Sequence, residues 1–433
     1  MQFILATTGL ALLGEPSTST WIILTGITVN AACALLGCFL ILRKMSMMGD
    51  AISHAVLPGL VVAFVLSGSR SIVPMFVGAV IAGLITTFMT QSLHQYLRVP
   101  SDASMGIVFT AMFAIGVVLV KQFSGGLHFD IGCVYEGALE YVPFGTRVAG
   151  MPRQLFSSLI VLLLNLTVLI LLWKELKLSA FDPALATTMG FSATTMHYLL
   201  MILVSITTVA SFEAVGSILV VAMLIVPAST AHLLSDRLGW MVFISVLIGA
   251  ASAVLGFWAA TYWDTSISGM MTVVAGCLYA VAVLTSPKYG LISSVQRNVR
   301  MSLLVLRDDV LSMLYRLEEL KSRKHFSLAE TSSAVGGGML ARLAVFQLQR
   351  TGSIELVENR LQLTEQGRDS ARQLVRSHRL WETYLVEQLG MPLDHVHEPA
   401  HRVEHYIDEN IQKKLASELD IADQDPHGRQ IPE

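Results

Sequence analysis

Long stretches without charged side chains dominate the first two thirds of the 433-residue chain. Nine of them contain no Asp, Glu, Lys or Arg, and each is at least 18 residues long. A helix needs about 20 consecutive apolar residues to cross the hydrocarbon core of a bilayer, and runs this continuous are helical rather than alternating. We therefore expect eight or nine membrane-spanning helices. The charge-free runs are 16–42, 51–69, 71–97, 103–120, 154–173, 183–212, 214–235, 238–263 and 265–287.

After residue 290 the pattern becomes that of water-soluble helices. Leucines recur at helical spacing from Leu303 to Leu320, a new helix is expected to start near Ser327, and another covers 339–350. The alternating segments 354–357 and 361–364 predict a β-hairpin. Three helices followed by a hairpin are typical of a winged helix-turn-helix. Two longer helices are expected afterwards, at about 365–390 and 399–419.

Composition supports a division into two parts. Apolar residues make up 53% of the chain and charged residues 14%, whereas a soluble globular protein has about 25% charged residues. Residues 1–290 contain 22 charged side chains, and residues 291–433 contain 39. A single water-soluble body is therefore excluded.

The loops between the charge-free runs also carry an orientation signal. Seven Lys and Arg residues fall in one set of alternate loops and four in the other. Because positive residues favour cytoplasmic loops, we expect a multi-pass protein of the cell (inner) membrane whose charged tail lies in the cytoplasm. The seven are Arg43, Lys44, Arg98, Lys174, Lys177, Arg237 and Lys288; the four are Arg70, Lys121, Arg147 and Arg153.

The predicted fold class is mainly α. A polytopic helical membrane domain of eight or nine spans covers 1–290. A cytoplasmic winged helix covers 300–365, and a helical domain covers 366–433.

An acid and an imidazole lie at the start of the second charge-free run. Asp50 and His54 are four residues apart and share one face of a helix. An ionisable residue in a membrane segment is costly unless it faces an interior or a water-filled path. A carboxylate with a neutral imidazole suits Mn, Fe or Zn better than an alkali ion. The alternative is that Asp50 caps the helix after Gly49 and that His54 only hydrogen-bonds a neighbouring helix.

Three segments, in order, resemble ABC permeases that import manganese, zinc or iron. Residues 43–59 read RKMSMMGDAISHAVLPG, residues 173–190 contain WKELK, FDPALA and MG, and residues 214–231 read AVGSILVVAMLIVPASTA. The resemblance covers about residues 20–290. It implies a homodimeric or paired permease that receives metal from an extracytoplasmic binding protein and is driven by a separate ABC ATPase subunit.

The same resemblance assigns residues to roles. Asp50 and His54 would be the metal ligands of the transport path, and the segment containing Phe181, Asp182, Pro183 and Gly190 would couple the permease to the ATPase. Independently, Asp182-Pro183 is expected to start a short helix. The alternative for this segment is an ordinary interfacial turn. The chain has no G-x-x-x-x-G-K-[ST] sequence, so we expect no nucleotide-binding site and no enzymatic activity on it.

The tail is rich in metal-binding side chains. His378 and Glu382 lie four apart on one predicted helix; His401, Glu404 and His405 share a face of the next, and His397 directly precedes it. This composition, without sulfur, indicates a site for a divalent metal such as Mn, Fe or Zn. A solvated surface cluster of histidines is the alternative.

The tail also resembles metal-dependent regulators of the diphtheria-toxin-repressor group, over about 300–433. The matching segments are 363–367, 378–382, 397–405 and 425–428. The resemblance implies one metal site of His378, Glu382 and His397, and a second of Asp309, His401, Glu404 and His405. The chain departs from this group at His401, where iron-type members have Cys and manganese-type members have Glu.

Two other functions are considered for the tail. A membrane-tethered, metal-dependent transcriptional regulator would bind DNA, but the tail has 18 basic and 21 acidic residues, whereas DNA binding needs a positive surface. We therefore do not expect DNA as a partner. The sequence H-E-P-A-H over 397–401 fits a zinc-protease pattern, but Pro399 inside it disfavours the helix that such a site requires.

Overall fold

The computed structural model describes residues 17–68, 72–123, 139–320, 328–357, 360–419 and 424–432. The chain forms two compact units, Met1–Ser293 and Ser294–Glu433. Each unit has its own buried apolar core.

Nine apolar helices form the first unit within the part of the chain that is described. Eight are long and apolar enough to cross a membrane, and the ninth, α9, is shorter. The expectation of eight or nine spanning helices is thus confirmed. The helices are α1 (Thr18–Leu42), α2 (Met48–Ser67), α3 (Ile72–Leu97), α4 (Ser101–Phe123), α5 (Arg153–Leu171), α8 (Ala193–Val215), α9 (Ser217–Leu234), α10 (Leu238–Trp263) and α11 (Ile267–Thr285).

Short elements connect these helices. A 3-10 turn, Leu139–Phe144, precedes a small hairpin of β1 (Arg147–Val148) and β2 (Met151–Pro152). Helices α6 (Trp173–Phe181) and α7 (Pro183–Thr188) lie between α5 and α8. Gly216, with φ 79°, separates α8 from the shorter α9, so these two apolar helices follow one another without a loop.

Close helix contacts fix the position of α2, which carries Asp50 and His54. Met48 and Ile52 of α2 are fully buried. A Cβ added at Gly59 would lie 2.2 Å from the carbonyl oxygen of Gly78 in α3, and one added at Gly78 would lie 2.4 Å from the carbonyl oxygen of Gly59. The two backbones approach this closely because neither residue has a side chain, as is common for packed membrane helices.

The second unit begins in α12 and is helical except for one hairpin. Strands β3 and β4 pair in antiparallel register, with Ile354 opposite Leu363 and Val357 opposite Arg360. The predicted order of helices and hairpin is therefore present, although Ser327, the expected helix start, lies outside the described residues. The elements are α12 (Leu291–Glu319), α13 (Leu328–Ala334), α14 (Gly338–Arg350), β3 (Ile354–Val357), β4 (Arg360–Leu363), α15 (Glu365–Glu387), α16 (His397–Val403) and α17 (Glu409–Glu418).

The single helix expected at about 399–419 is wrong. Helix α16 ends at Val403, a 3-10 turn covers Glu404–Tyr406, and α17 starts afresh at Glu409. The reason is local: Ile407 is extended, and the side chain of Asp408 accepts a hydrogen bond from the amide of Ile411, 2.8 Å away. Asp408 is therefore the N-cap of a new helix.

Candidate metal sites and coupling segment

Asp50 and His54 lie side by side on α2. The Asp50 Oδ1 to His54 Nε2 distance is 3.5 Å, and the two side chains are 34% and 36% exposed. The His54 ring also contacts Phe109 and Phe113 of α4, with ring centroids 5.6 and 6.0 Å away. One carboxylate and one imidazole are thus available together, beside aromatic rings and at a partly open surface of the chain.

Asp50 does not cap its helix. Helix α2 begins at Met48, and its N-cap, Met47, makes no side-chain capping bond. The Ser53 hydroxyl donates over 2.7 Å to the carbonyl oxygen of Asp50 rather than to its carboxylate. The capping interpretation of Asp50 is therefore wrong.

The segment between α6 and α8 has the local structure expected for it. Asp182 Oδ1 accepts a hydrogen bond from the amide of Leu185 over 2.9 Å, and Pro183 occupies the first turn of α7. Gly190, with φ 89°, ends the segment. Phe181, Leu185 and Met189, spaced four apart, are 56%, 46% and 61% exposed. Phe181 ends α6, Leu185 lies within α7 and Met189 directly follows α7. Exposed apolar side chains grouped in a short connecting segment are suited to contact with another protein.

The first tail cluster joins α12 to the segment around α16. Asp309, His401, Glu404 and His405 each offer one ligand atom, and these atoms all lie within 4.8 Å of one another. His401 Nε2 is 3.7 Å and His405 Nε2 is 3.9 Å from Asp309 Oδ1. We call this set the Asp309 cluster.

The second tail cluster, the His378 cluster, comprises His378, Glu382 and His397. His378 Nε2 lies 2.9 Å from Glu382 Oε1, and the same oxygen contacts His397 Nδ1. Glu404 links the two clusters, because its Oε2 is 2.6 Å from His378 Nδ1 while its Oε1 is 2.8 Å from His401 Nδ1. The residues of the H-E-x-x-H sequence, His397 and His401, therefore belong to different clusters, which weighs further against a protease site.

The ionisable side chains of these clusters shift one another's pKa values. Burial lowers the tendency of His378 to protonate, but the adjacent carboxylates of Glu382 and Glu404 outweigh it and raise the pKa of His378. Burial alone would raise the pKa values of the Glu382 and Glu404 carboxyls. The hydrogen bonds and positive charge of His378 nevertheless hold the pKa of each below its usual value. Burial raises the pKa of Asp309. His378 and its two neighbouring carboxylates thus favour one another's charged forms although their side chains are buried.

Several buried polar atoms of the two clusters make no hydrogen bond, and their chemistry indicates whether a metal ion would fit there. Asp309 Oδ1 and His405 Nε2 have no hydrogen-bond partner, and His378 Nδ1 and Glu404 Oε2 are close but not aligned for a hydrogen bond. Buried polar atoms are costly when unsatisfied. All four belong to or adjoin the proposed ligand sets, and oxygen and nitrogen donors of this kind bind divalent transition metals. The residues therefore fit such an ion.

Sequence patterns missed two residues around these clusters. Asp308 Oδ2 accepts a hydrogen bond from His405 Nδ1 over 3.1 Å. The other ring nitrogen, Nε2, is therefore directed to the Asp309 cluster. The His427 ring stacks on His397 with centroids 4.5 Å apart. The adjacent acids Asp308-Asp309 are the sequence signal for the first. His427 falls in the matching segment 425–428, but its position in that segment does not indicate contact with His397.

Comparisons with known proteins identify a family for each of the two parts of the chain. Residues 17–286 match the ABC 3 transport family, and residues 364–433 match the iron dependent repressor, metal binding and dimerisation domain. The manganese transport system membrane protein MntD of Bacillus subtilis (strain 168) is 45% identical over 289 residues, covering 66% of this chain and 98% of that protein. The zinc transport system membrane protein TroD of Treponema pallidum (strain Nichols) is 40% identical over 300 residues, covering 68% and 81%.

A solved structure is also similar. PsaBC from Streptococcus pneumoniae in complex with Fab has 30% sequence identity and a TM-score of 0.54, covering 66% of this chain and 96% of that chain. Since the matched family covers most of the chain, and the eight long apolar helices fall in the same region, the chain belongs to the ABC 3 transport family and carries a C-terminal domain of the iron-dependent-repressor type.

Proposed function

We propose that this chain is the permease subunit of an ABC transporter that imports a divalent transition metal, with manganese first and zinc or iron next. The observation that carries the proposal is the Asp50 and His54 pair, one helical turn apart in a spanning helix and 3.5 Å from each other. An acid and an imidazole replace part of the water shell of a passing cation, and two ligands from one chain allow fast release. The manganese and zinc relatives support the choice of metals.

Transport of radioactive Mn²⁺ into cells tests the site. Asp50→Asn and His54→Gln should each lower uptake at least about tenfold while membrane levels stay unchanged, because each removes one of two ligands. Ser53→Ala is the matched control, since Ser53 lies between them but bonds only a backbone carbonyl. Uptake by both variants at the level of the control would refute the assignment. Cellular metal content, element by element, with and without the protein identifies the cargo.

The permease is not itself an ATPase, and we propose that a separate ABC ATPase subunit docks on the segment from Phe181 to Gly190. The exposed apolar side chains of Phe181, Leu185 and Met189 support docking at this segment. The segment, like the charged tail, would then lie in the cytoplasm, and a binding protein and a second permease copy would complete the assembly. Leu185→Ser should weaken recovery of the ATPase with the permease. Leu247→Ser, at a somewhat more exposed position within the spanning helix α10, should leave that recovery unchanged.

We further propose that the tail is a metal-sensing regulatory domain. The Asp309 and His378 clusters and the repressor-type match support this. Mn²⁺ should raise the melting temperature of the second unit in the full chain, and Glu404→Gln, which removes the shared carboxylate, should abolish most of the increase. No increase with Mn, Fe or Zn would refute sensing.

A DNA-binding regulator is the weaker alternative. The helix that would enter the major groove, α14, exposes Met339, Leu343 and Phe346, at 79%, 39% and 59%. Base reading and phosphate contacts need polar and basic side chains at such positions. Footprinting of promoter DNA with and without Mn²⁺ distinguishes the two functions, because only the regulator requires metal-dependent protection.

A further inference from the structure

A polar cavity of about 540 Å³ opens at the end of the bundle where α1 and α3 end and α4 and α8 begin. Its size falls within the range of small-molecule sites. Two cationic side chains and two imidazoles line it, and no carboxylate does. The charged or imidazole-bearing lining residues are Arg43, Lys44, His94 and His197, and the polar ones include Gln91 and Ser179.

The Arg43 guanidinium has no carboxylate partner among the described residues. Its Nη2 donates to Ser179 Oγ over 2.7 Å, and its Nη1 meets His197 Nδ1 at 3.1 Å. Arg43 Nε and His197 Nε2 are buried and have no hydrogen-bond partner. A partly buried positive charge without an anion is costly, and so are buried donors that nothing accepts from. These atoms point to an anionic ligand.

Two long helices add to the positive potential of the cavity. Helix α4 starts at Ser101 and α8 starts at Ala193, and both residues are part of the lining. Free backbone amides and the helix dipole at such N-termini favour anions. The nearest acids along the chain, Asp102 and Asp182, are not in the lining, and Asp182 is engaged as the cap of α7.

We propose that this pocket binds the phosphate group of an anionic ligand, either the headgroup of an acidic membrane lipid or free inorganic phosphate. Arg43 supplies a partly buried charge, and Lys44 and the Nε2 of His197 supply further donors, whereas His94 Nδ1 already donates to the Val99 carbonyl oxygen over 2.8 Å. The position at the ends of spanning helices, where lipid headgroups lie, suits the first source. The basic side chains of the lining suit either source. This site is separate from the Asp50 and His54 pair, so its test does not depend on the metal-transport proposal.

The full chain, purified in detergent, provides the test. One arm adds inorganic phosphate against chloride of matched ionic strength, and the other adds phosphatidylglycerol against phosphatidylcholine; both record the melting temperature of the chain. Arg43→Gln should raise the apparent dissociation constant at least about tenfold, the value of one charged hydrogen bond. Lys174→Gln, an exposed lysine on α6 outside the lining, is the matched control and should leave it unchanged.

Lys44→Asn keeps the proposal falsifiable if Arg43→Gln does not fold. Lys44 is exposed and has φ 57°, a conformation that Asn tolerates, so its loss should weaken binding without unfolding. A saturable response to phosphate alone identifies a free anion, a response to phosphatidylglycerol alone identifies a lipid headgroup, and responses to both identify the shared phosphate. No saturable response in either arm, or equal responses in Lys44→Asn and the control, overturns the proposal.

Discussion

Asp308 offers a sharp test of how the tail prepares its metal ligands. Asp308 does not belong to the Asp309 cluster, but its carboxylate accepts a hydrogen bond from His405 Nδ1 over 3.1 Å. The His405 side chain is only 8% exposed, so water cannot readily replace this hydrogen bond. Asp308→Ala removes the group that holds Nε2 toward Asp309.

The expected effect follows from similar outer residues in metal proteins. Loss of a hydrogen-bonding partner of a ligand histidine typically weakens metal binding 10- to 100-fold, which is about 1.4–2.7 kcal/mol. The partly exposed Asp308 carboxylate, at 28%, places the effect nearer the lower end. Asp309→Ala, which removes a direct ligand, should have the larger effect.

Titration of the full chain with Mn²⁺, followed by the melting temperature of the second unit, measures both variants. Glu318→Ala is the matched control, because Glu318 lies on the same helix but bonds Arg368 away from the clusters. An unchanged Mn²⁺ affinity for Asp308→Ala, alongside a clear loss for Asp309→Ala, would show that His405 needs no orienting partner. Unchanged affinity for both would remove the Asp309 cluster as a metal site.

Three further predictions concern stability. Arg379 is 2% exposed and pairs with Glu319 and the carbonyl oxygen of Gln430, so Arg379→Met should lower the free energy of unfolding by about 3 kcal/mol, measured by urea denaturation; a loss below 1 kcal/mol would contradict this. The hydrogen bond from Arg379 holds the pKa of Glu319 below the ordinary 4.5. The stability that this pair contributes is therefore present above pH 4.5 and is lost as the pH falls through the lowered pKa. In Arg379→Met, the melting temperature should not show this decrease at acid pH. Gly37→Ala would place a Cβ 1.9 Å from the carbonyl oxygen of Leu224 and should sharply reduce the folded yield, whereas Gly276→Ala, with open space around it, should not.

The helices of the membrane unit could be predicted because lipid leaves the backbone few options. A run without charges must satisfy its own hydrogen bonds, and the helix ends fall close to the first charged or turn residue, as at Leu42 and Arg43. The break at Gly216 was harder to predict, because Glu213, which separates the charge-free runs, lies within α8, and the helix ends only at Val215.

The tail shows where local pattern fails. His401, Glu404 and His405 were placed on one continuous helix, but the chain leaves the α-helix at Glu404. The residues come together nonetheless, because α12 brings Asp309 to them from about 95 positions earlier in the chain. Such a meeting depends on tertiary packing, so spacing within one helix could suggest the ligand types but not the link that Glu404 makes between the clusters.

The donor chemistry connects the two ends of the protein. Asp50 and His54 in the membrane, and both tail clusters, offer only carboxylate oxygens and imidazole nitrogens, and residues 291–433 contain no cysteine. A tail that sensed a thiophilic metal different from the cargo would need sulfur donors. The matching donor sets therefore favour a tail that responds to the ion which its own permease carries. Affinity alone will not select manganese, because oxygen and nitrogen sites bind Zn²⁺ more tightly than Mn²⁺. Zn²⁺ should displace Mn²⁺ from the tail at equal concentration. Under the proposed function, the ion that occupies the tail in the cell would then be set by the amount of each metal available, which uptake through Asp50 and His54 would control.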